Sequence, residues 1–414
     1  MKRRRSLTHV GGVVERTGNH EVARALAEAL DVAPAPEPSG TAGASDDPDR
    51  AHVHGFHTYP ARMHPVTAAR LVRAVSEAGA TVLDPFCGSG TVLVEAMIAG
   101  RRAVGVDLNP LAVRLARMKT TPQDARSLET LVANAHAVAD FANSRRKRRA
   151  GATRRYPPED VATFDPHVLL ELDSLRAGIA QRVEDDPLER EALELVLSAI
   201  LVKVSRRTSD TSAANATRRI AAGYTARLFV RKTEELARRL AELAAQLPPQ
   251  SKPARVMLDD ATHLRTVAAS TVEAVVTSPP YVATYDYLVH HALRMRWLNL
   301  DARALDTGEM GARRRYVRLD PAAARRAWQR ELGAALRGLS RVCRKGARIA
   351  LMMGDSAVRG QALRADAVLA SVAPEAGFVL VARASQRRPY FHAPTAIAFH
   401  DEPRAEHAIV LEKR

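Results

Sequence analysis

From about residue 52 onward, short runs of aliphatic and β-branched residues alternate with stretches whose apolar positions recur every three to four residues. The short runs are TVLD at 81, AVGVD at 103, ARVML at 254, EAVVT at 273, ARIALMM at 347, FVLVA at 378 and HAIVL at 407. Apolar runs of this length suit strands, and their alternation with helical stretches predicts a doubly wound α/β sheet. The pattern breaks once. Residues 120–250 carry helical periodicity and no strand signal, which predicts an inserted all-helical domain with helices at 125–141, 165–181, 188–204 and 226–247. The Asp165-Pro166 pair marks one start and Pro248-Pro249 one stop. A short helix is expected at 21–30, and the Pro-, Gly-, Ala- and Ser-rich residues 33–50 read as a linker. The chain therefore divides into an extension and linker (1–51), two halves of one α/β core (52–119 and 251–414) and the insertion (120–250).

The first candidate site is TVLDPFCGSGTVLVEAMIAG, a strand that runs through a glycine turn into a helix. Gly88 and Gly90 let the backbone approach a ligand at the helix N-terminus. About 20 residues on, Asp107 ends the next strand, where its carboxylate can accept hydrogen bonds from ribose hydroxyls. A dinucleotide fingerprint needs a third glycine three residues after Gly90, and that position is Leu93. Asp84 at the mouth of the turn would repel a pyrophosphate but can pair with the α-amino group of S-adenosylmethionine.

The second is EAVVTSPPYVATYDYL, residues 273–288, a strand running into Ser278-Pro279-Pro280-Tyr281. Paired prolines fix φ and lack N–H donors, so the chain leaves the strand extended, with its carbonyls unclaimed by a helix. Such acceptors can take both hydrogens of an exocyclic base amine and orient its lone pair. Tyr281 offers a flat face to a base flipped out of its stack.

Together, DPFCGSGT and TSPPY resemble the amino-methyltransferase family that methylates N4 of cytosine or N6 of adenine in DNA. The resemblance implies a class I methyltransferase (Rossmann-like) sheet in which Asp84, Phe86, Gly88 and Gly90 cradle the methionine half of S-adenosylmethionine and Asp107 binds the ribose. It implies that Asp260 hydrogen-bonds the adenine ring, that Tyr59 and Arg62 of HTYPARMHP contact the cofactor, and that Ser278, Pro279, Pro280 and Tyr281 form the catalytic pocket. Most adenine-specific relatives carry Asp or Asn where Ser278 stands, so it leans towards cytosine N4, and a restriction endonuclease is a possible partner. RNA-guanine N2 methyltransferases carry a similar Pro-Pro-aromatic tetrad, which keeps RNA as an alternative substrate beside a catalytically silent nucleic-acid-binding protein of the same fold. The insertion, between the ribose- and adenine-binding motifs, departs from the common motif orders of the family.

Charge narrows the partner. A net +16 over 414 residues favours a polyanion, and DNA leads. The run SRRTSDTSAANATRRIAAG at 205–223 interleaves hydroxyls with Arg206, Arg207, Arg218 and Arg219, a mixture suited to phosphate oxygens, and RRKRR at 145–149 and residues 313–315 are further candidates. Aromatics at 4% disfavour a single-strand binder built on rows of stacking rings.

The two cysteines, Cys87 and Cys343, have no metal-site spacing, and neither follows a proline as attack on cytosine C6 would require. His52, His54, His57 and His64 cluster in sequence, yet no nearby carboxylate or cysteine completes a ligand set, so no metal is expected. Trp297 falls on a helical apolar stripe and reads as core. The opening MKRRRSLTHV has no apolar leader segment, and stretches such as 195–202 fall short of the ~20 residues of a membrane span, so a cytoplasmic location is expected.

Overall fold

The computed structural model describes residues 12–32, 50–183, 186–211, 219–389 and 393–414; the linker expected at 33–50 lies, except for Arg50, outside these residues. The chain opens with β1 (Val14–Gly18), α1 (His20–Leu30) and α2 (Pro65–Val75). The core then begins with β2 (Thr81–Asp84), α3 (Thr91–Ile98), β3 (Arg102–Asp107) and α4 (Pro110–Thr120). Five helices follow: α5 (Ala125–Lys147), α6 (Pro158–Thr163), α7 (Pro166–Arg182), α8 (Pro187–Leu201) and α9 (Tyr224–Ala244). The core resumes with β4 (Arg255–Leu258), β5 (Val272–Thr277), α10 (Tyr287–Trp297), α11 (Arg303–Gly308), α12 (Arg313–Tyr316) and α13 (Pro321–Val342). It ends with β6 (Cys343–Gly354), the hairpin β7 (Ser356–Val358) and β8 (Gln361–Leu363), α14 (Ala365–Val372), β9 (Phe378–Arg387), α15 (Ala393–Ala398) and β10 (Ala405–Lys413).

One eight-stranded sheet runs in the order β1-β9-β10-β6-β5-β2-β3-β4. β4, β3, β2, β5 and β6 are mutually parallel, while β10 lies antiparallel between β6 and β9, and β1 lines the free edge of β9. This is the doubly wound, mostly parallel α/β sheet expected from the sequence. The chain builds outward from β2 to β4, then crosses back to β5 and β6, so the direction of winding reverses between β2 and β5. Ligand crevices in open α/β sheets form outside the carboxyl ends of strands at such a reversal. Asp84 and Thr277 end those two strands.

Apolar side chains cover both faces. One core joins the sheet to α13 and α14 through Leu336, Leu339 and Leu369; the other joins it to α1, α2 and α3 through Leu26, Leu71 and Leu93. A third core belongs to α5 and α7–α9 but also takes in Val94, Leu111, Leu115 and Met118 from α3 and α4, and Leu293 and Trp297 from α10. Trp297 is buried, stacked on Tyr156 at 5.4 Å and edge-on to Phe164 at 5.5 Å.

Some boundaries differ from the sequence pattern. α5 continues six residues past 141 because intrahelical hydrogen bonds persist after its apolar stripe ends, and Arg145, Arg146 and Lys147 complement the negative end of the helix dipole. β1 was not expected, since an edge strand with an almost fully exposed sequence, VERTG, shows no apolar alternation.

Candidate active site

The loop after β2 is shaped by two glycines with positive φ, Gly88 at +49° and Gly90 at +86°. A Cβ on Gly88 would lie 3.1 Å from the Tyr59 ring, and one on Gly90 would lie 3.1 Å from Ala116 of α4. The first glycine therefore holds the loop open to a ligand and the second lets α3 and α4 pack. Asp107, at the end of β3, grips this loop: Oδ2 accepts the Gly88 N–H at 2.8 Å and Oδ1 accepts the Asn109 N–H at 2.8 Å. Burial pushes its carboxyl up to about 6 against the pull of those two amides.

Asp84 is buried at the floor of the crevice. Its Oδ1 accepts from the Thr277 hydroxyl at 2.6 Å and the Phe86 amide at 3.1 Å, and Oδ2 takes no hydrogen bond among the described residues. Burial pushes this carboxyl up to about 7, opposed by both donors. Bonding from Thr277 to Asp84 ties the ends of β5 and β2 together, so the two sequence motifs meet at one hydrogen bond.

These residues line a single open cleft of about 890 Å³. Tyr59, Arg62, Asp84, Phe86, Gly88, Asp107, Asp260, Ser278 and Pro280 all reach it. Gly90 sits behind the loop as the N-cap of α3. Pro279 is buried and outside the lining. Tyr281 stands one step back: its ring packs on Gly354, where an added Cβ would come within 2.7 Å, and its hydroxyl donates to Glu406 at 2.6 Å. Glu406 in turn accepts from Arg388 at 2.9 Å, and both are buried. Asp260 bends its own loop, accepting from the Thr262 amide at 2.8 Å and hydroxyl at 2.7 Å.

Other contributors left no local signal in the sequence. Tyr287 and His291 of α10 stack on Tyr59 at 6.1 and 4.9 Å, and Leu305, Gly308, Glu309 and Met310 form one wall of the cleft. Buried Glu309 holds this wall by accepting the Tyr287 amide at 2.6 Å and by pairing with Arg314. Glu406 acts on Tyr281 from 125 residues away.

The basic candidates divide. Arg206 pairs with Asp165 at 2.9 Å, Arg207 donates to the Asp210 carbonyl of its own loop at 3.5 Å, and Arg219 is exposed. Arg218 lies outside the described residues. In the 145–149 run Arg145 is held by Ser174 and the Gly151 carbonyl, while the others are exposed.

Near the histidine cluster the structure supplies the carboxylate that sequence spacing could not: Glu95 of α3 lies 2.8 Å from His54 Nε2, with His52 adjacent. Burial pushes Glu95 up to about 7 and His52 down to about 4. Lys119, Arg62 and Arg239 face these imidazoles and oppose a dication, so the pair reads as a neutral buried hydrogen bond. His57 meanwhile bonds to Ser198 of α8 at 3.1 Å.

Residues 37–118 match the DNA methylase family model. The chain is 29% identical over 145 residues to the Type II methyltransferase M.MvaI of Kocuria varians, covering 32% of this chain and 31% of that one. It is 32% identical over 81 residues to the Type II methyltransferase M.MjaII of Methanocaldococcus jannaschii, covering 20% and 15%. It is also 43% identical over 61 residues to the tRNA (guanine(10)-N2)-dimethyltransferase of Methanothermobacter thermautotrophicus, covering 14% and 18%. The chain thus spans less than a third of the length of each of these relatives.

Proposed function

We propose that this protein transfers a methyl group from S-adenosylmethionine to an exocyclic amine of a nucleic-acid base, N4 of cytosine in DNA being the favoured target. The observation that carries the reading is one cleft lined both by Asp84, Gly88, Asp107 and Asp260 and by Ser278 and Pro280. The residues fit the cofactor: Gly88 leaves a cradle that a side chain would fill, and Asp84 Oδ2 is an acceptor open to an ammonium group. Asp107 keeps lone pairs for ribose hydroxyls beyond the two amides it holds. When bound, the cofactor supplies an electrophilic methyl group on a positively charged sulfur.

The protein's own part is orientation. Ser278 Oγ and the Pro279 carbonyl accept the two amine hydrogens and aim the nitrogen lone pair at the methyl carbon. The new C–N bond forms as the C–S bond breaks, and the amine then loses one proton to solvent. Ser278 keeps its own proton throughout, because a hydroxyl is no base near neutral pH. Tyr281, fixed by Glu406 and Gly354 one step behind the cleft, sets the position of the Ser-Pro-Pro turn. No enzyme nucleophile takes part. Cys87 is buried in the loop with its thiol raised by burial, and burial pushes Cys343 up to about 12.

The match of residues 37–118 to the DNA methylase family model supports a DNA substrate, and the tRNA methyltransferase relative makes RNA the second reading. Mass spectrometry of nucleosides after incubation of DNA and RNA with labelled S-adenosylmethionine should find the label in N4-methylcytosine from DNA. Label in N6-methyladenine would keep the chemistry and change the base. Label confined to RNA would change the substrate class, and no label in either would overturn the reading.

A further inference from the structure

The wall of the cleft continues outward into α12 and the β7–β8 hairpin, and its charges are unevenly compensated. Arg314 pairs with Asp286 at 2.8 Å, with Asp306 at 3.3 Å and with Glu309, while Arg315 lies 3.3 Å from Glu331 and donates to the Glu309 carbonyl. These two arginines consume the carboxylates of the wall. Arg313 and Arg318 are exposed and make no ion pair among the described residues.

Arg359 joins them. It occupies the tip of the two-residue turn closed by the Val358–Gln361 pair, and Arg359 and Gly360 have φ of +47° and +77°. Such turns favour Asn-Gly, so an exposed arginine in the left-handed position is a strained choice of the kind that gathers at functional sites. Its Nη2 donates to the Arg318 carbonyl at 3.3 Å, which brings the hairpin tip onto the end of α12. At the other end of this strip the Arg313 amide donates to the Tyr285 carbonyl at 2.9 Å, two residues from Tyr287 in the cleft lining.

We infer that Arg313, Arg318 and Arg359 form a rail for the phosphate backbone beside the target base, so that the strand entering the cleft is held by the catalytic half of the core. The inference rests on the nucleic-acid reading above. It assigns the contact to fixed elements at the cleft mouth, where guanidinium groups without carboxylate partners can displace the counterions of a polyanion.

The test compares the full chain with the triple variant Arg313→Gln, Arg318→Gln, Arg359→Asn, in which Asn suits the left-handed turn position. Fluorescence anisotropy with a labelled DNA duplex gives the dependence of affinity on salt, and calorimetry with S-adenosylmethionine reports the cofactor site. Loss of three phosphate contacts should lower the slope of log K against log salt by about 2.7, and weaken duplex binding about tenfold or more at 0.1 M salt, with cofactor affinity unchanged. A second triple variant at the amino ends of the strands, Arg102→Gln, Arg344→Gln, Arg348→Gln, should leave the slope unaltered. If the rail variant is not folded, Arg359→Asn alone should still lower the slope by about 0.9. An unchanged slope in the rail variant, or an equal loss in the second, overturns the rail while label transfer by the unmodified protein keeps the methyltransferase reading. A protein that binds the cofactor but no nucleic acid overturns both.

Discussion

Asp84 must be charged to hold an ammonium group, and its surroundings resist that charge. Burial raises its carboxyl to about 7, against an ordinary value of about 3.9, and the Thr277 hydroxyl and Phe86 amide recover only part of the cost. Between those two values the folded protein holds more protons than the unfolded chain, so the contribution of Asp84 to stability is full below pH ~4 and declines as pH rises towards 7. Cofactor binding runs the other way, because the ligand's ammonium favours the carboxylate and must expel the proton. Affinity for S-adenosylmethionine should therefore fall as pH drops below 7, by up to about tenfold per pH unit. In Asp84→Asn, affinity should be lower and flat down to about pH 6, where Asp107 begins to protonate. Calorimetry at a series of pH values decides it, and the same pH dependence in Asp84→Asn as in the unmodified protein would remove Asp84 from the ammonium site. At this scale the sequence is readable where a residue's job is local. That Asp84, Gly88 and Asp107 meet at one cleft could be read from a loop and the strand beside it, whereas the Tyr281–Glu406–Arg388 network could not, since Glu406 and Arg388 sit on the antiparallel side of the sheet with no pattern tying them to the turn.

Among the elements, the seven strands expected from apolar runs all form; β2, β5 and β10, buried on both faces, carry their signal in composition alone, whereas β4 and β9 leave side chains such as Leu258 and Leu380 exposed. Elements that escaped detection are short or exposed: β1, α6 and the β7–β8 hairpin bury too few side chains to leave a periodicity. α10 illustrates a different limit. Although charged, Arg294 is buried against Asp210, which also lies 3.6 Å from His290, and Arg296 pairs with Asp160 at 2.5 Å. Both carboxylates come from the insertion, one of them from the polar run read as a nucleic-acid contact. Thus part of that run is occupied in fixing the helix whose Tyr287 and His291 support Tyr59. Asp210→Ala would leave a buried guanidinium without its carboxylate, a loss of about 3–5 kcal/mol of stability by urea unfolding. Pairing it with Arg294→Met should recover most of that loss. A single variant as stable as the unmodified protein would show that the buried pair contributes nothing.

For the molecule as a whole, the open question is whether the insertion is a module added to a finished core. Its two ends support that view, since the Ala254 amide donates to the Thr120 carbonyl at 3.3 Å and a short linker could join the core across the gap. The packing opposes it. Val94, Leu111, Leu115, Met118, Leu293 and Trp297 of the core are buried in one cluster with the insertion's own apolar side chains. Arg114 meets Glu191 at 3.3 Å and also pairs with Glu194, so α4 and α8 are joined by charge as well. Exposing those six side chains costs ~1.5–3 kcal/mol each, on the order of 10 kcal/mol in sum, which rivals the entire stability of an ordinary domain. The sequence could mark where the sheet pattern stops, because that is a matter of periodicity. It could not reveal that α3 and α4 are each apolar on the side facing the insertion as well as on the side facing the sheet, because a helix buried on two sides looks merely hydrophobic. Replacing residues 125–244 with a short Gly-Ser linker should therefore yield a chain that lacks a cooperative urea transition and binds S-adenosylmethionine weakly or not at all, although every cleft-lining residue remains present. A deleted chain that unfolds cooperatively and keeps its cofactor affinity would make the insertion a separable module after all.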